Sequence, residues 1–474
     1  MAIFIQNSLT KKKEEFIPQD PGEVKMYTCG VTVYDDCHVG HARSLFIFDG
    51  IKKYLEYRGH KVKLVRNITD VDDKIIKRSN EEGVPFEEIR QRYIQHYARD
   101  LKDLEIERAD FEPKATENIV YMVDHIKQLI DKGHAYEVDG DVYFSVRSFS
   151  TYGRLSGQSI EEMQSAVRIE PDEKKKDPLD FALWKKSKDN EPQWDSPWGK
   201  GRPGWHIECS TMSMRFLRTP TLDIHAGGRD LIFPHHENEI AQAEALTGVP
   251  FARIWIHHGL LTIEGRKMSK SLGNFVTIQD VLKQHPPDVL KLFFLSAHYG
   301  TPIDFTNEGL KQTKKGYEKI GTFLDKINLL PEEIVGNVTA VPADVARWRT
   351  EFETVMDDDF NTAQAVACLF ELLNCGNRYL SSKKTAEAVA TAGVLLQLGR
   401  VLGLALKASG KIKQFSSEER VKMSEIVSLD PKDIQVLLEE RRRARQKKDF
   451  KRADEIREFL KNNGIAVEDM EKLK

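Results

Sequence analysis

Between Lys25 and Ile68 the spacing of apolar residues changes period twice. VKMYTCG is short and β-prone, SLFIFDGIKKYLEYRG repeats at helical spacing and ends in Gly59, and HKVKLVRNI returns to a strand pattern. This is a βαβ unit. A crossover of that length implies parallel strands, and open α/β sheets bind ligands beyond the carboxyl ends of their strands, which is where Cys29 through His41 fall.

A charged, helix-rich stretch follows from Glu81 to Gly133, then DVYFSV as a strand and a Lys/Asp/Pro-rich run from Pro171 to Gly204, together an insertion with flexible edges. Strand patterns return in TLDIHAGG and RIWIHHGLL with the helix PHHENEIAQAEALTG between them, so a Rossmann-like parallel α/β domain is split around the insertion. Beyond Asn307 the long amphipathic runs GYEKIGTFLDKINLL, AQAVACLFELLNCGNRYL and AEAVATAGVLLQLGRVLGLAL predict an α-helical bundle, and a separate C-terminal piece begins near Ser409. The predicted divisions are 1–110 and 201–306 for the halves of the α/β domain, 111–200 for the insertion, 307–408 for the bundle and 409–474 for the last domain.

Composition narrows the class without naming a function. At 474 residues, 40% hydrophobic and 31% charged, the chain is neither disordered, collagen-like nor a disulfide-framed miniprotein. The 71 Lys+Arg against 74 Asp+Glu leave a formal charge of -3, so any polyanion site must be local. One such stripe is Arg441 to Lys461, with ten Lys/Arg against four Asp/Glu. Five scattered cysteines without a C-x-x-C pair point to a reducing compartment. The N-terminal MAIFIQNSLTKKK is too weakly apolar for a signal peptide, and no run approaches the roughly 18 apolar residues of a membrane span, so a cytoplasmic protein is expected.

Two motifs mislead. GKGRPG matches G-x-G-x-x-G with Asp223 downstream, but PQWDSPW before it is no strand and Pro203 stands where a helix should open, so a loop is expected there. HEN at 236–238 begins like H-E-x-x-H, but Ile240 occupies the second ligand position. Two others carry chemistry. His38-Val39-Gly40-His41 sits at the strand-to-helix turn, where Gly40 allows close backbone approach and the helix dipole favours phosphate, although two histidines near a turn also serve as ordinary caps. Lys267-Met268-Ser269-Lys270-Ser271 puts two lysines three apart on a Gly- and Ser-rich loop, suited to charge on a transferring phosphoryl group or, more blandly, to solvent.

HVGH followed by KMSKS resembles the paired signatures of class I aminoacyl-tRNA synthetases, and within that class the wording resembles the cysteinyl-tRNA synthetase family. YTCGVTVYDDCHVGHAR, NITDVDDKII, GRPGWHIECS, GGRDLIFPHHENEIAQ and GRKMSKSLGN stand in that family's order, and RARQKKDFKRADEIREFLKNNGI resembles its last domain. Val31 replaces the usual proline after Cys-Gly, and the terminal VEDMEKLK lacks the usual tail. The resemblance implies a class I parallel sheet, a helical bundle and a C-terminal anticodon-binding domain.

His235 and Glu239, i and i+4 on a helix opened by Pro234, can share an ion, and Cys29 and Cys209 from elsewhere complete a plausible metal set. By resemblance these four positions match the family's zinc ligands, one ion per chain. The same resemblance implies that His38, His41, Lys267 and Lys270 stabilise phosphate charge, with Gly40, His41 and Lys270 on ATP, and that Thr69, Trp205, His225 and Asp230 line the cysteine and adenylate pocket. Without it, a helix cap for Asp230 and core packing for Trp205 are the ordinary readings. Asp70, Asp72 and Asp73 are read as a solvated loop and helix cap rather than a magnesium cluster, magnesium arriving with ATP. The implied activity joins L-cysteine to tRNA-Cys through cysteinyl-adenylate, in a monomer. The rival readings are a ligase joining cysteine to a small amine and a non-catalytic tRNA-binding paralogue.

Overall fold

Four parallel strands, in the spatial order Ala252–His258, Leu222–Gly228, Glu23–Thr28, Lys61–Arg66, form the central sheet. The computed structural model describes residues 2–166, 174–269, 272–330, 340–409, 431–447 and 449–462. Every residue of Leu222–Gly228 is buried, the state of a strand covered on both faces. The register sets Thr28 opposite both Arg66 and Ala226, and Gly228 opposite His258. All four strands therefore deliver their next residues, Cys29, Asn67, Arg229 and Gly259, to one edge.

The crossover helix is Val39–Tyr57, longer at its start than the apolar pattern indicated because the HVGH turn itself enters it. It buries Leu45, Phe46, Phe48, Ile51 and Leu55 along one face and stops before Gly59, which takes φ +90°. The chain forms two compact units, Met1–Gly309 with Asp357–Asn361, and Leu310–Met356 with Thr362–Lys474.

Within the first unit the intervening stretch contains the helices Phe86–Asp103 and Ile119–Asp131 and an antiparallel sheet, Ala135–Val138, Asp141–Phe144, Phe181–Lys186 and Gly201–Pro203. GKGRPG is thus not a free loop. Gly201–Pro203 is a buried edge strand, and Gly201 passes so close to the Trp184 indole that a Cβ would lie 2.3 Å from its nitrogen. A three-residue strand of Gly, Arg and Pro has no β signature, and what holds it is packing against a tryptophan far away in sequence. RIWIHHGLL is likewise not one strand: the central sheet ends at His258, and Leu261–Ile263 joins a second sheet with Arg266–Lys267 and Ile303–Phe305.

In the second unit Asn307–Asn328, Ala343–Asp357, Thr362–Ser381 and Thr385–Val401 form the expected amphipathic helices, with Phe323, Phe352, Leu369, Leu372 and Leu395 among the buried side chains. Pro431–Gln446 and Phe450–Asn462 follow, with Ala444, Ala453 and Ile456 buried. Lys270, Ser271, the 410–430 stretch and the VEDMEKLK tail lie outside the described residues. Among the described residues no helix is long and apolar enough to cross a membrane.

Candidate active site

Cys29 leaves the strand Glu23–Thr28, Cys209 lies in the helix Trp205–Leu217, and Glu239 lies in the first turn of the helix Glu237–Thr247. Pro234 does not open that helix; it stands inside a π-turn, Ile232–His236, from which His235 projects. The i, i+4 relation survives, with His235 Nε2 3.0 Å from Glu239 Oε1. Cys29 Sγ lies 3.9 Å from Cys209 Sγ and 3.5 Å from Glu239 Oε1, and Cys209 Sγ lies 3.5 Å from His235 Nε2. The four donor atoms are all within 4.8 Å of one another, a cluster compatible with a metal ion.

Its electrostatics favour a cation. Burial resists ionising Glu239, but His225 and His235 beside it hold its carboxyl well below the usual range. Burial likewise resists charge on His235, while Glu239 and Cys209 raise its pKa to about 10. Burial alone would push Cys209 up; the Cys29 hydrogen bond and the His235 charge bring it down to about 6, and burial followed by Cys209 drives Cys29 well above the ordinary thiol. One thiol keeps its proton until positive charge arrives to replace it.

A second overlapping set, Cys29, His225, His236 and Glu239, shares two of these donors. Its His225 Nε2 sits 2.8 Å from Glu239 Oε2, a hydrogen bond, and His236 is engaged through Nδ1 with His257 Nε2 at 2.8 Å. Glu239 therefore has one oxygen for the cluster and the other for a supporting histidine. His206 Nδ1 meets His235 Nδ1 at 2.8 Å and leaves His235 Nε2 facing the thiols.

Trp205 stacks on His235 at 4.0 Å between ring centroids and is 38% exposed, so it walls the cluster toward solvent rather than packing in the core. His225, fully buried, stacks on Trp255 at 4.3 Å. Thr69 donates to Glu208 Oε2 at 2.8 Å and accepts from Asn67 Nδ2 at 3.1 Å. Asp230 is exposed in the turn Arg229–Leu231, with Oδ1 against Gly228. Asp72 caps the helix Asp73–Glu82, while Asp70 is buried on Arg90 and Thr116 and Asp73 pairs with Lys185 and Arg202.

At the helix start the two signature histidines stack, 3.6 Å between centroids. His41 N–H donates to His38 Nδ1 at 3.2 Å, and His38 N–H donates to His41 Nδ1 at 3.3 Å. Both Nδ1 atoms are acceptors, so in each neutral ring the proton sits on Nε2. Burial lowers His38 to about 4 and His41 well below the usual histidine value. The capping reading holds, and the cap fixes two neutral rings whose Nε2–H groups it does not use.

Gly40 lies against the His38 ring, where a Cβ would come within 2.9 Å of Cε1, and the Met268 side chain lies 3.7 Å from the same point. The signature loop is thus beside HVGH. Lys267 is exposed at the end of Arg266–Lys267, and Asn274 bridges the loop by accepting from Ser269 N (2.9 Å) and donating to Lys267 O (3.2 Å).

Sequence reasoning did not single out His206, His257 or Glu208, and set His236 aside as a mere neighbour of the ligands. The available signal was density: His225, His235, His236, His257 and His258 fall within 34 residues, in or directly after the strands that lead to the ligand edge. Glu208 gives no such signal. It is fully buried, burial pushes its carboxyl well up, and Oε1 has no hydrogen-bond partner among the described residues.

Comparison with known proteins places the whole chain. Residues 15–315 match the family model for the tRNA synthetases class I (C) catalytic domain, 351–407 the DALR domain, and 431–472 the cysteinyl-tRNA ligase anticodon binding domain. The chain is 48% identical to the cysteine–tRNA ligase of Geobacter sulfurreducens and 49% identical to that of Persephonella marina, covering 99% of this chain and 98% of each relative. Against that of Sulfurihydrogenibium sp. the identity is 50% at the same coverage. Among solved structures, the Mycobacterium tuberculosis methionyl-tRNA synthetase in complex with methionyl-adenylate aligns with a TM-score of 0.63 at 16% identity, over 86% of this chain and 94% of that one, a likeness of fold alone.

Proposed function

This chain belongs to the cysteine–tRNA ligase family, and from that premise we propose that Cys29, Cys209, His235 and Glu239 hold a zinc ion that selects the substrate thiol. The protein is an aminoacyl-tRNA ligase: it joins cysteine to tRNA. A ligase for a small amine is not favoured, since an anticodon-binding domain would have no use there.

The observation that carries the zinc assignment is the donor geometry. A tetrahedron with Zn–S of about 2.3 Å and Zn–N or Zn–O of about 2.0–2.1 Å has edges of roughly 3.8 Å between sulfurs and 3.3 Å between nitrogen and oxygen. The cluster offers 3.9 Å and 3.0 Å. When bound, zinc supplies a soft Lewis acid that a thiolate engages and a hydroxyl does not match at neutral pH, which matters because packing separates near-isosteres by only about 1–3 kcal/mol.

The remaining roles belong to side chains. Trp205 and Thr69 bound the amino-acid pocket, with His225 behind Glu239, and Asp230 takes the substrate ammonium. The cysteine carboxylate attacks the α-phosphorus of MgATP, pyrophosphate leaves, and a terminal ribose hydroxyl of tRNA-Cys then attacks the adenylate carbonyl and expels AMP. Gly40, His38 and His41 meet the phosphates with neutral N–H donors, and Lys267 and Lys270 bring positive charge from the loop.

For tRNA, the second unit offers an open cavity of about 480 Å³ whose lining includes Lys315, Lys319, Lys326, Asn374 and Asn377 together with one carboxylate, Glu318, its lysines forming no ion pair among the described residues. Unpaired lysines beside amides suit a phosphate backbone. We read the protein as a cytoplasmic monomer, its cysteines all unpaired by disulfides.

Metal analysis with cysteine-dependent ATP–pyrophosphate exchange and tRNA charging on one preparation tests this assignment. About one zinc per chain, exchange and charging are expected; undiminished exchange by a preparation that holds no zinc would remove the metal from the proposal.

A further inference from the structure

Arg43 stands two residues past the HVGH turn, is completely buried, and forms no ion pair with a carboxylate among the described residues. Among the described residues all its hydrogen-bond partners are backbone carbonyls. Nη1 donates to Gly259 O at 2.7 Å and Leu260 O at 2.9 Å, while Nη2 donates to Tyr299 O at 3.2 Å and Thr301 O at 2.6 Å. Burying a guanidinium is costly unless its donors are met, and a planar fork serving four acceptors does what an ammonium at one point cannot. Nε is left without a hydrogen-bond partner among the described residues, so all the bonds the guanidinium makes there are to these carbonyls.

Those carbonyls belong to two segments that run side by side. Gly259 and Leu260 lead into Leu261–Ile263, Tyr299 to Thr301 lead toward Ile303–Phe305, and the two short strands pair in parallel. Gly259 N–H donates to Tyr299 O at 2.9 Å, and Ile303 N–H to Leu260 O at 3.0 Å. A Cβ on Gly259 would lie 2.4 Å from the Thr301 carbonyl, so the crossing tolerates no side chain.

From this crossing the chain goes out through Lys267 and the signature loop. It returns to the same helix start by backbone bonds, Val39 N–H to Val276 O at 3.1 Å and Ile278 N–H to Cys37 O at 2.9 Å. The excursion from Leu261 to Phe275 is therefore fastened at its far end by the backbone beside His38 and at its near end by Arg43.

We propose that Arg43 is a positioning residue for adenylation: its four-carbonyl grip fixes the near end of the Lys267 loop to the helix that carries His38 and His41, and so sets how the two signatures meet the ATP phosphates. The inference rests on the reading that these signatures act together on ATP. Arg43 touches no substrate. Its removal misplaces the loop while leaving the thiol-selecting cluster intact, because Cys29, Cys209, His235 and Glu239 form none of these bonds.

The test is steady-state cysteine-dependent ATP–pyrophosphate exchange by Arg43→Met and Arg43→Lys, with zinc content and amide hydrogen exchange over residues 261–267. Arg43→Met is expected to lower kcat about tenfold or more, keep KM for cysteine within about twofold and zinc unchanged, and speed exchange of the 261–267 amides, with Arg43→Lys between it and wild type. Unchanged kcat and amide protection would overturn the proposal. So would a parallel loss of kcat, cysteine KM and zinc, which would mark Arg43 as a general support of the fold. If Arg43→Met does not fold, Arg43→Lys carries the same split. Wild-type protein without cysteine-dependent exchange would instead defeat the underlying ATP reading.

Discussion

The thiol cluster and the proposed phosphate end of the active site are built on opposite plans. Cys29, Cys209 and the His235–Glu239 pair come from three separate segments, three of the four side chains are fully buried, and each imidazole or carboxylate has a second partner holding it. HVGH and the lysine loop are contiguous runs, and Lys267 is exposed. A fixed donor set suits a choice between sulfur and oxygen, which depends on distances that must not vary. A loop pinned at its two ends suits charge that appears only while the phosphoryl group transfers.

That contrast can be broken most severely at the cluster. Cys209→Ala is expected to lose the metal and lower cysteine-dependent exchange by roughly 10³-fold or more, measured as kcat/KM with metal analysis. At the other end, Lys270→Ala should cut the adenylation rate by about 10²–10³-fold while cysteine binding by equilibrium titration changes little; equal losses would reduce the loop to a substrate-positioning element. A smaller effect belongs to the second unit. Lys319→Glu with Lys326→Glu should flatten the dependence of log tRNA affinity on log salt by roughly 1.4–1.8 while exchange is unaffected, and an unchanged slope would remove that cavity from the tRNA surface.

The smallest effect is an absence. Because burial lowers His38 to about 4, it stays neutral in the folded protein from pH 8 down to that value, so the adenylation rate should show no His38 ionisation near the ordinary 6.5. An acid limb near 6.5 that vanishes in His38→Asn would refute neutral donation. The same shift bears on stability. The unfolded histidine takes its proton near 6.5 and the folded one only near 4, so the His38 contribution is present above about pH 6.5 and is lost as pH falls toward 4.

The two regions also differed in how far the sequence exposed them. The βαβ pattern placed HVGH at the edge of a parallel sheet because local periodicity and the turn coincide there. His235 and Glu239 were visible as an i, i+4 pair, but Cys29 and Cys209 announced nothing by spacing; donor chemistry made them plausible members of the set, and family resemblance matched all four to zinc ligands. The partners around them, His206, His257 and Glu208, depend on strand register and on which face of the Trp205–Leu217 helix meets the sheet, and one sequence does not carry that. Gly201–Pro203 failed for a related reason: its strand exists because Trp184 packs on it. RIWIHHGLL failed at Gly259, where close contact with Thr301 and the Arg43 grip divert the chain into a second sheet.

The most direct test of zinc selection is the ratio of cysteine to serine kcat/KM in ATP–pyrophosphate exchange, compared between zinc-replete protein and folded protein stripped of metal. Stripping should collapse the ratio toward the roughly 10–200-fold that packing alone provides, and added zinc should restore it. A stripped, folded protein that still prefers cysteine as strongly as the zinc-replete one would contradict selection by the cluster.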